Sequence, residues 1–150
     1  MIEMVFRSVR PKAICIIRKD SKYLLEFSKW PTEKDIFYIP LGGQIQYGEY
    51  GENTIKRELQ EEIGAEICNI RYLGTIENIF DVDEQVGHEI VLVFEADFVD
   101  KSLYEKEIIK GTENEVDPPL PIVAYWKTMR EIEEEGHPIY PDRLRNLLGV

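Results

Sequence analysis

The 150-residue chain holds only two cysteines, Cys15 and Cys68, and two histidines, His88 and His137. That supply is too small for a disulfide framework or a cysteine–histidine metal pattern, and it suits a reducing compartment. Both cysteines lie in apolar, strand-like stretches, so both are expected in the core, where a free thiol packs as a small hydrophobe. No stretch approaches the roughly 20 apolar residues of a bilayer-spanning helix. Residues 1–10 alternate apolar and charged side chains and lack the apolar run of a secretory leader. A cytoplasmic protein with no membrane partner is the resulting expectation. Internal repeats and low-complexity tracts are missing as well. Basic charge is scarce, with 18 Lys and Arg against 29 Asp and Glu and a formal net charge of -11. That balance argues against general binding of nucleic-acid backbone, which normally needs a basic face. It leaves phosphate-bearing small molecules open, because divalent cations can stand between an acidic protein and an anion.

What is present suits one globular domain over residues 1–150, with 43% hydrophobic and 31% charged residues. Residues 13–17 and 23–27 are short β-rich runs joined by a polar stretch, and they read as a hairpin. Residues 36–39 read as a third strand, stopped by Pro40 and the Gly42-Gly43 pair. A helix is expected from about Gly51 to Ile63, closed by Gly64 as a left-handed cap. Residues 65–80 and 89–98 read as two longer strands around an acidic loop at 81–88. Residues 100–121, rich in Glu, Asp and Pro, read as a long loop with one helical turn. A last strand at 122–126 and two short helices at 128–135 and 141–148 follow. Strands mixed with few helices point to a mixed sheet with helices packed on it.

The helix carries the chemistry. Ile55, Leu59 and Ile63 recur every four residues and form one apolar stripe. Glu58, Glu61 and Glu62 form a second stripe on a neighbouring face, leaving Lys56 and Gln60 toward solvent. Like charges at this spacing repel by a few tenths of a kcal/mol per pair, so a helix with this sequence carries a cost. A solvated acidic face is the bland explanation. The flanking residues argue otherwise: Gly43, then Glu49, then Arg57-Glu58-Leu59, Glu61-Glu62 and Gly64-Ala65 fall at fixed intervals.

These residues, over 43–65, resemble the Nudix signature and fill its fixed positions. The resemblance implies an α/β class protein with the Nudix fold, an α/β/α sandwich whose mixed sheet carries the signature helix. It implies a MutT-like hydrolase that cleaves a diphosphate bond in nucleoside diphosphate-linked substrates by attack of water on phosphorus. Magnesium is the implied cofactor, with manganese as a substitute. By the resemblance Glu58, Glu61 and Glu62 bind metal, with the Gly43 carbonyl as a further ligand, and Arg57 joins the three glutamates as a catalytic residue. Glu49 and Arg57 are expected to pair and hold loop to helix. The general base is left open between Glu61 or Glu62 in the helix and Glu113, Glu115 or Glu89 outside it. Hard oxygen ligands on one helical face suit a magnesium ion that keeps waters and phosphate oxygens in its shell.

Before the signature stands Pro40-Leu41-Gly42-Gly43 in place of the common Pro-Gly-Gly; markers of the ADP-ribose and diadenosine polyphosphate subfamilies are missing around residues 80–82, and the coenzyme A and NADH signatures are missing as well. His88-Glu89 lacks the second histidine of a zinc-protease pair, since position 92 is Leu92. Trp30, Phe37, Tyr38, Phe80 and Trp126 are candidates for stacking on a base, with core packing as their default. The alternative function is a catalytically silent nucleotide-binding or sensor module on the same fold. The expected partner is a small nucleotide diphosphate, and a homodimer stays open.

Overall fold

The computed structural model describes residues 7–150; the leader reading of the N-terminus rests largely on residues 1–6, which lie outside the described residues. Nine strands and three helices follow in chain order: β1 (Val9–Ile16), β2 (Arg18–Lys19), β3 (Lys22–Lys29), β4 (Ile36–Ile39), β5 (Leu41–Gln44), α1 (Gly51–Ile63), β6 (Ile67–Val82), β7 (Gln85–Phe98), β8 (Ile108–Glu113), β9 (Leu120–Lys127), α2 (Met129–Glu135) and α3 (Leu144–Leu148). One sheet runs β5-β1-β7-β6, with β1 parallel to β7 and the other pairs antiparallel. The second runs β2-β3-β9-β8, with β4 on the side of β3.

β1 sits between two strands, and Ala13, Ile14, Cys15 and Ile16 are all buried because both faces of the strand are covered. Alternation sends Ala13 and Cys15 to one core and Ile14 and Ile16 to another. The first core joins Ile55 and Leu59 of α1 to Leu24, Phe94, Ala96, Phe98, Ala124 and Trp126. The second joins Met129, Ile132 and Leu144 of the C-terminal helices to Ile76, Val91 and Val93. Helices therefore cover both sides of the strand layer, which is the α/β/α arrangement of a mixed sheet. Burying Ile55 and Leu59 contributes about 2 kcal/mol apiece, which dwarfs the repulsion between neighbouring glutamates.

Several local expectations are corrected. The expected hairpin of 13–17 with 23–27 is only its tip: β2 pairs with β3, while β1 leaves for the other sheet. Gly42 and Gly43 do not stop a strand but lie within β5, where they pair with Ile14 and Ala13 of β1. A Cβ on Gly42 would sit 2.2 Å from the Ala13 carbonyl oxygen, so this close pairing needs glycine. The acidic loop at 81–88 is a two-residue turn, Asp83 and Glu84, both in the left-handed region that suits a tight hairpin. Residues 100–121 contain a 3-10 turn at Lys101–Glu105 and the strand β8. Cys68 is exposed rather than buried, because it lies on edge strand β6 just before a register shift.

α1 starts without a side-chain cap at Tyr50 and ends at Gly64, whose φ of 66° lets its N–H bond back to the Gln60 carbonyl. α2 has a full capping box, Thr128 and Glu131 each accepting the other's backbone N–H.

Candidate metal centre and active site

α1 presents its acidic stripe to the end of β5 and to the segment after β8. Glu58 and Glu62 are 5% and 7% exposed, so the acidic stripe beside the apolar one is not a solvated face. Oxygen atoms of Glu58, Glu61 and Glu115 come within 4.8 Å of one another, close enough to share one cation. Glu62 points inward instead, and its Oε1 is buried with no hydrogen-bond partner. An orphaned buried carboxylate oxygen is expensive, and a bound cation would satisfy it. Gly43 faces this cluster at close range: a Cβ there would lie 2.4 Å from the Glu58 carboxyl carbon. The missing side chain leaves the Glu58 carboxylate against bare backbone. These donors are all hard oxygens, and they fit magnesium or manganese.

Arg57 ties the pieces together. Its Nε donates to Glu49 Oε2 at 2.8 Å and its Nη2 to Glu49 Oε1 at 3.0 Å, a two-bonded fork. Nη2 also donates to the Gln44 carbonyl at 3.1 Å, and Nη1 to Glu58 Oε1 at 2.9 Å and Glu61 Oε2 at 3.3 Å. Thr54 Oγ1 donates to Glu49 at 2.7 Å, so the loop before α1 is fixed to the helix from two directions. The Arg57 fork, with the Thr54 hydroxyl and the Gln46 N–H, holds the Glu49 carboxyl down at about 2.

The cluster's own charges act in the opposite sense. Burial, reinforced by the carboxylates of Glu26, Glu58 and Glu113, pushes Glu62 up to about 9. Burial also raises Glu58, against the pull of Arg57. Glu26, on β3, is pushed up to about 7 by burial and by Glu113. The sequence reading missed Glu26. Its only signal was a lone charge in the apolar run Tyr23-Leu24-Leu25-Glu26-Phe27, on the side of the strand shared with Leu24.

Of the residues outside the signature, Glu115 joins the cluster, lies 4.0 Å from Arg57 and is anchored by its N–H to Glu113 Oε1. Glu113 faces Glu62 and Glu26 across the interior. Glu89 does not join them. It lies on the opposite side of the sheet, on the register of Val91 and Val93, paired with Lys12 at 3.7 Å and accepting from Asn78 at 3.0 Å. Glu89 is therefore no base beside the helix. Gln44, Ile45, Gln46, Tyr47, Glu58 and Glu115 line an open cleft of about 320 Å³ at the acidic cluster. Among the stacking candidates, Tyr38 and Trp126 belong to the cores, whereas Trp30 is 36% exposed.

Comparison with known proteins agrees with this geometry. The family model described as the NUDIX domain matches residues 9–147. The chain is 30% identical over 115 residues to the NAD-capped RNA hydrolase NudC of Pseudomonas aeruginosa, covering 74% of this chain and 38% of that protein. It is 37% identical over 65 residues to the NudC of Vibrio atlanticus, covering 43% of this chain and 23% of that protein. The chain thus spans less than half the length of the curated relatives it matches. A NUDIX hydrolase structure from Nitrosomonas europaea superposes with a TM-score of 0.67 at 19% identity, over 95% of this chain and 87% of that one. The mutator MutT protein of Bacillus halodurans gives 0.59 at 20% identity, over 93% and 80%. No helix among the described residues is long and apolar enough to cross a membrane. Family model, fold and signature agree, and the chain belongs to the Nudix hydrolase family.

Proposed function

We propose that this chain works as a single Nudix domain that hydrolyses the diphosphate linkage of small nucleoside diphosphate derivatives, with magnesium as cofactor and manganese as its substitute. The observation that carries the reading is the meeting of Glu58, Glu61 and Glu115 within 4.8 Å, beside the unpartnered buried Oε1 of Glu62. Glu58, Glu61 and Glu62 would hold the metal, with the Gly43 carbonyl available beside them. When bound, the ion supplies a more acidic water and neutralises charge on the bridging phosphates.

The protein's own residues do the rest. Arg57 fixes the carboxylates of Glu58 and Glu61 from one side while Glu49 fixes Arg57. Glu58 and Glu62 are buried and serve as ligands. Glu115 is exposed and lines the cleft, and on this reading it takes the proton of the attacking water. The cleft takes the diphosphate, and the group beyond it is read by residues outside the signature.

The NudC relatives are named for NAD-capped RNA, in which a dinucleotide diphosphate caps a nucleic acid. The formal charge of -11 favours the small diphosphate over the RNA chain for this protein. The test is magnesium-dependent product release over nucleotide sugars, dinucleoside polyphosphates, nucleoside triphosphates, NAD and a NAD-capped oligonucleotide. Turnover of at least one diphosphate, abolished by chelation, is expected. Tight magnesium-dependent binding with no turnover across the whole panel would instead establish a silent binding module.

A further inference from the structure

The loop that joins β5 to α1 carries two exposed tyrosines. Tyr47 is fully exposed and Tyr50 is 77% exposed, so neither ring contributes to a core. They differ in place: Tyr47 lines the cleft at the acidic cluster, whereas Tyr50 is not among its lining residues. The backbone does not call for tyrosine at position 47 either. Tyr47 is the second residue of a β-turn, a position most residues can fill and where proline is favoured.

The turn itself is held firmly. The Glu49 N–H donates to the Gln46 carbonyl at 3.0 Å, and Gly48 has a φ of 81° while Tyr47 stays out of the left-handed region, which makes this a type II turn. The Gln46 N–H donates to Glu49 Oε1 at 3.2 Å, and that carboxylate is gripped in turn by Arg57 and Thr54. Just before the turn, the Ile45 N–H donates to the Pro11 carbonyl at 3.0 Å and ties the loop to β1. The Tyr47 backbone is therefore fixed against α1 and the sheet, although its ring stands in solvent. A ring carried this way gives up only two side-chain torsions when something packs on it.

The other lining side chains leave it the apolar part. Glu58 and Glu115 are acidic, the Gln44 amide oxygen accepts from Arg10, and Ile45 packs against the core beneath α1. A cleft of about 320 Å³ is at the small end of ligand sites, and a diphosphate with its cation and their waters fills the acidic end. The organic group bonded to that diphosphate then leaves through the mouth. We propose that Tyr47 is a specificity-determining residue whose ring packs on the nucleoside or sugar ring adjoining the diphosphate, so that the cleft prefers ring-bearing diphosphates to inorganic ones. The acidic end offers nothing to hold an uncharged ring, whereas tyrosine has an apolar face and a hydroxyl. The inference rests on the diphosphate reading of the cleft, but the preference is measurable without turnover.

The experiment is calorimetric binding of UDP, UDP-glucose and inorganic pyrophosphate to the full chain with magnesium. Wild-type protein is expected to bind UDP about fivefold tighter than pyrophosphate, and Tyr47→Ala to lose that margin while pyrophosphate binding and the melting temperature hold. Tyr47→Phe should keep the margin, and Tyr50→Ala, an equally exposed ring outside the cleft, should not affect it. Gly48→Val strains the turn and should reproduce Tyr47→Ala, whereas Gly48→Asn, which tolerates positive φ, should not. An equal loss for UDP and UDP-glucose in Tyr47→Ala places the nucleoside on the ring, and a larger loss for UDP-glucose places the sugar there. With the best substrate of the hydrolysis panel, Tyr47→Ala should raise KM about fivefold at unchanged kcat. Wild-type protein that binds UDP no tighter than pyrophosphate, or Tyr47→Ala that loses both ligands equally or neither, overturns the inference. Tyr47-dependent binding with no hydrolysis of any diphosphate would leave it standing and reject the proposed activity. Hydrolysis with an unchanged KM in Tyr47→Ala would do the reverse.

Discussion

Glu62→Gln separates the cost of the acidic cluster from its use. In the metal-free protein, burial and the Glu26, Glu58 and Glu113 carboxylates raise Glu62 from 4.5 to about 9. A carboxyl raised in the folded state gives stability that is fully present below 4.5 and is lost as pH climbs toward the folded value. Each pH unit in that window costs about 1.4 kcal/mol, so roughly 3 kcal/mol is lost by pH 7. Glutamine keeps the shape and cannot ionise. The variant without metal should therefore match wild type near pH 5 and exceed it by as much as about 3 kcal/mol at pH 7, several degrees in melting temperature. Magnesium should reverse the order, since it stabilises only a protein that binds it tightly. The assay is urea unfolding at three pH values, with EDTA and with saturating magnesium, alongside hydrolysis of the best substrate. Hydrolysis should collapse in the variant. A variant no more stable than wild type at pH 7 without metal, or one keeping full magnesium-dependent activity, would refute the reasoning.

Two glycines report on the same cluster in different ways. Gly43→Ala would place a Cβ 2.4 Å from the Glu58 carboxyl, a flexible group that can swing aside, so magnesium affinity in calorimetry should fall while the melting temperature barely moves. Gly111→Ala would place a Cβ 1.8 Å from the Glu62 carbonyl oxygen, a backbone atom that cannot yield, and should destabilise the fold by about 1–3 kcal/mol or more in urea unfolding. The two thiols should differ as well. Cys15 is buried, with its thiol pushed up to about 12, whereas Cys68 is exposed. Ellman's reagent should titrate one thiol in the native protein and two in denaturant; two fast native thiols would contradict the burial of β1.

The signature helix was legible because its information is local. Four-residue spacing of Ile55, Leu59 and Ile63 marks the buried stripe, and Gly64 marks the end, whatever the rest of the chain does. Pairing of strands is not local. Residues 13–17 are apolar at every position, which fits a hairpin arm as well as a central strand, and only the partners β5 and β7 decide between them. β8 was hidden for a related reason. It is a short edge strand, Ile-Ile-Lys-Gly-Thr-Glu, set among acidic and proline-rich neighbours that look like loop.

The site divides along the same line. Fixed spacing brought Gly43, Glu49, Arg57, Glu58, Glu61 and Glu62 into view, because their contacts are made within one loop and one helix. Glu26 had to wait for the fold, and Glu115 and Glu89 stood in the sequence only as undecided alternatives, since each is placed by a strand far away in sequence. Two of them stand at the signature helix and one on the opposite side of the sheet. Alternation along β7 is what separates them: a step of one residue moves a side chain from one face to the other, so Glu89 follows Val91 and Val93 rather than Phe94 and Ala96. The face carrying α1 holds the signature residues Gly43, Glu49, Arg57, Glu58, Glu61 and Glu62.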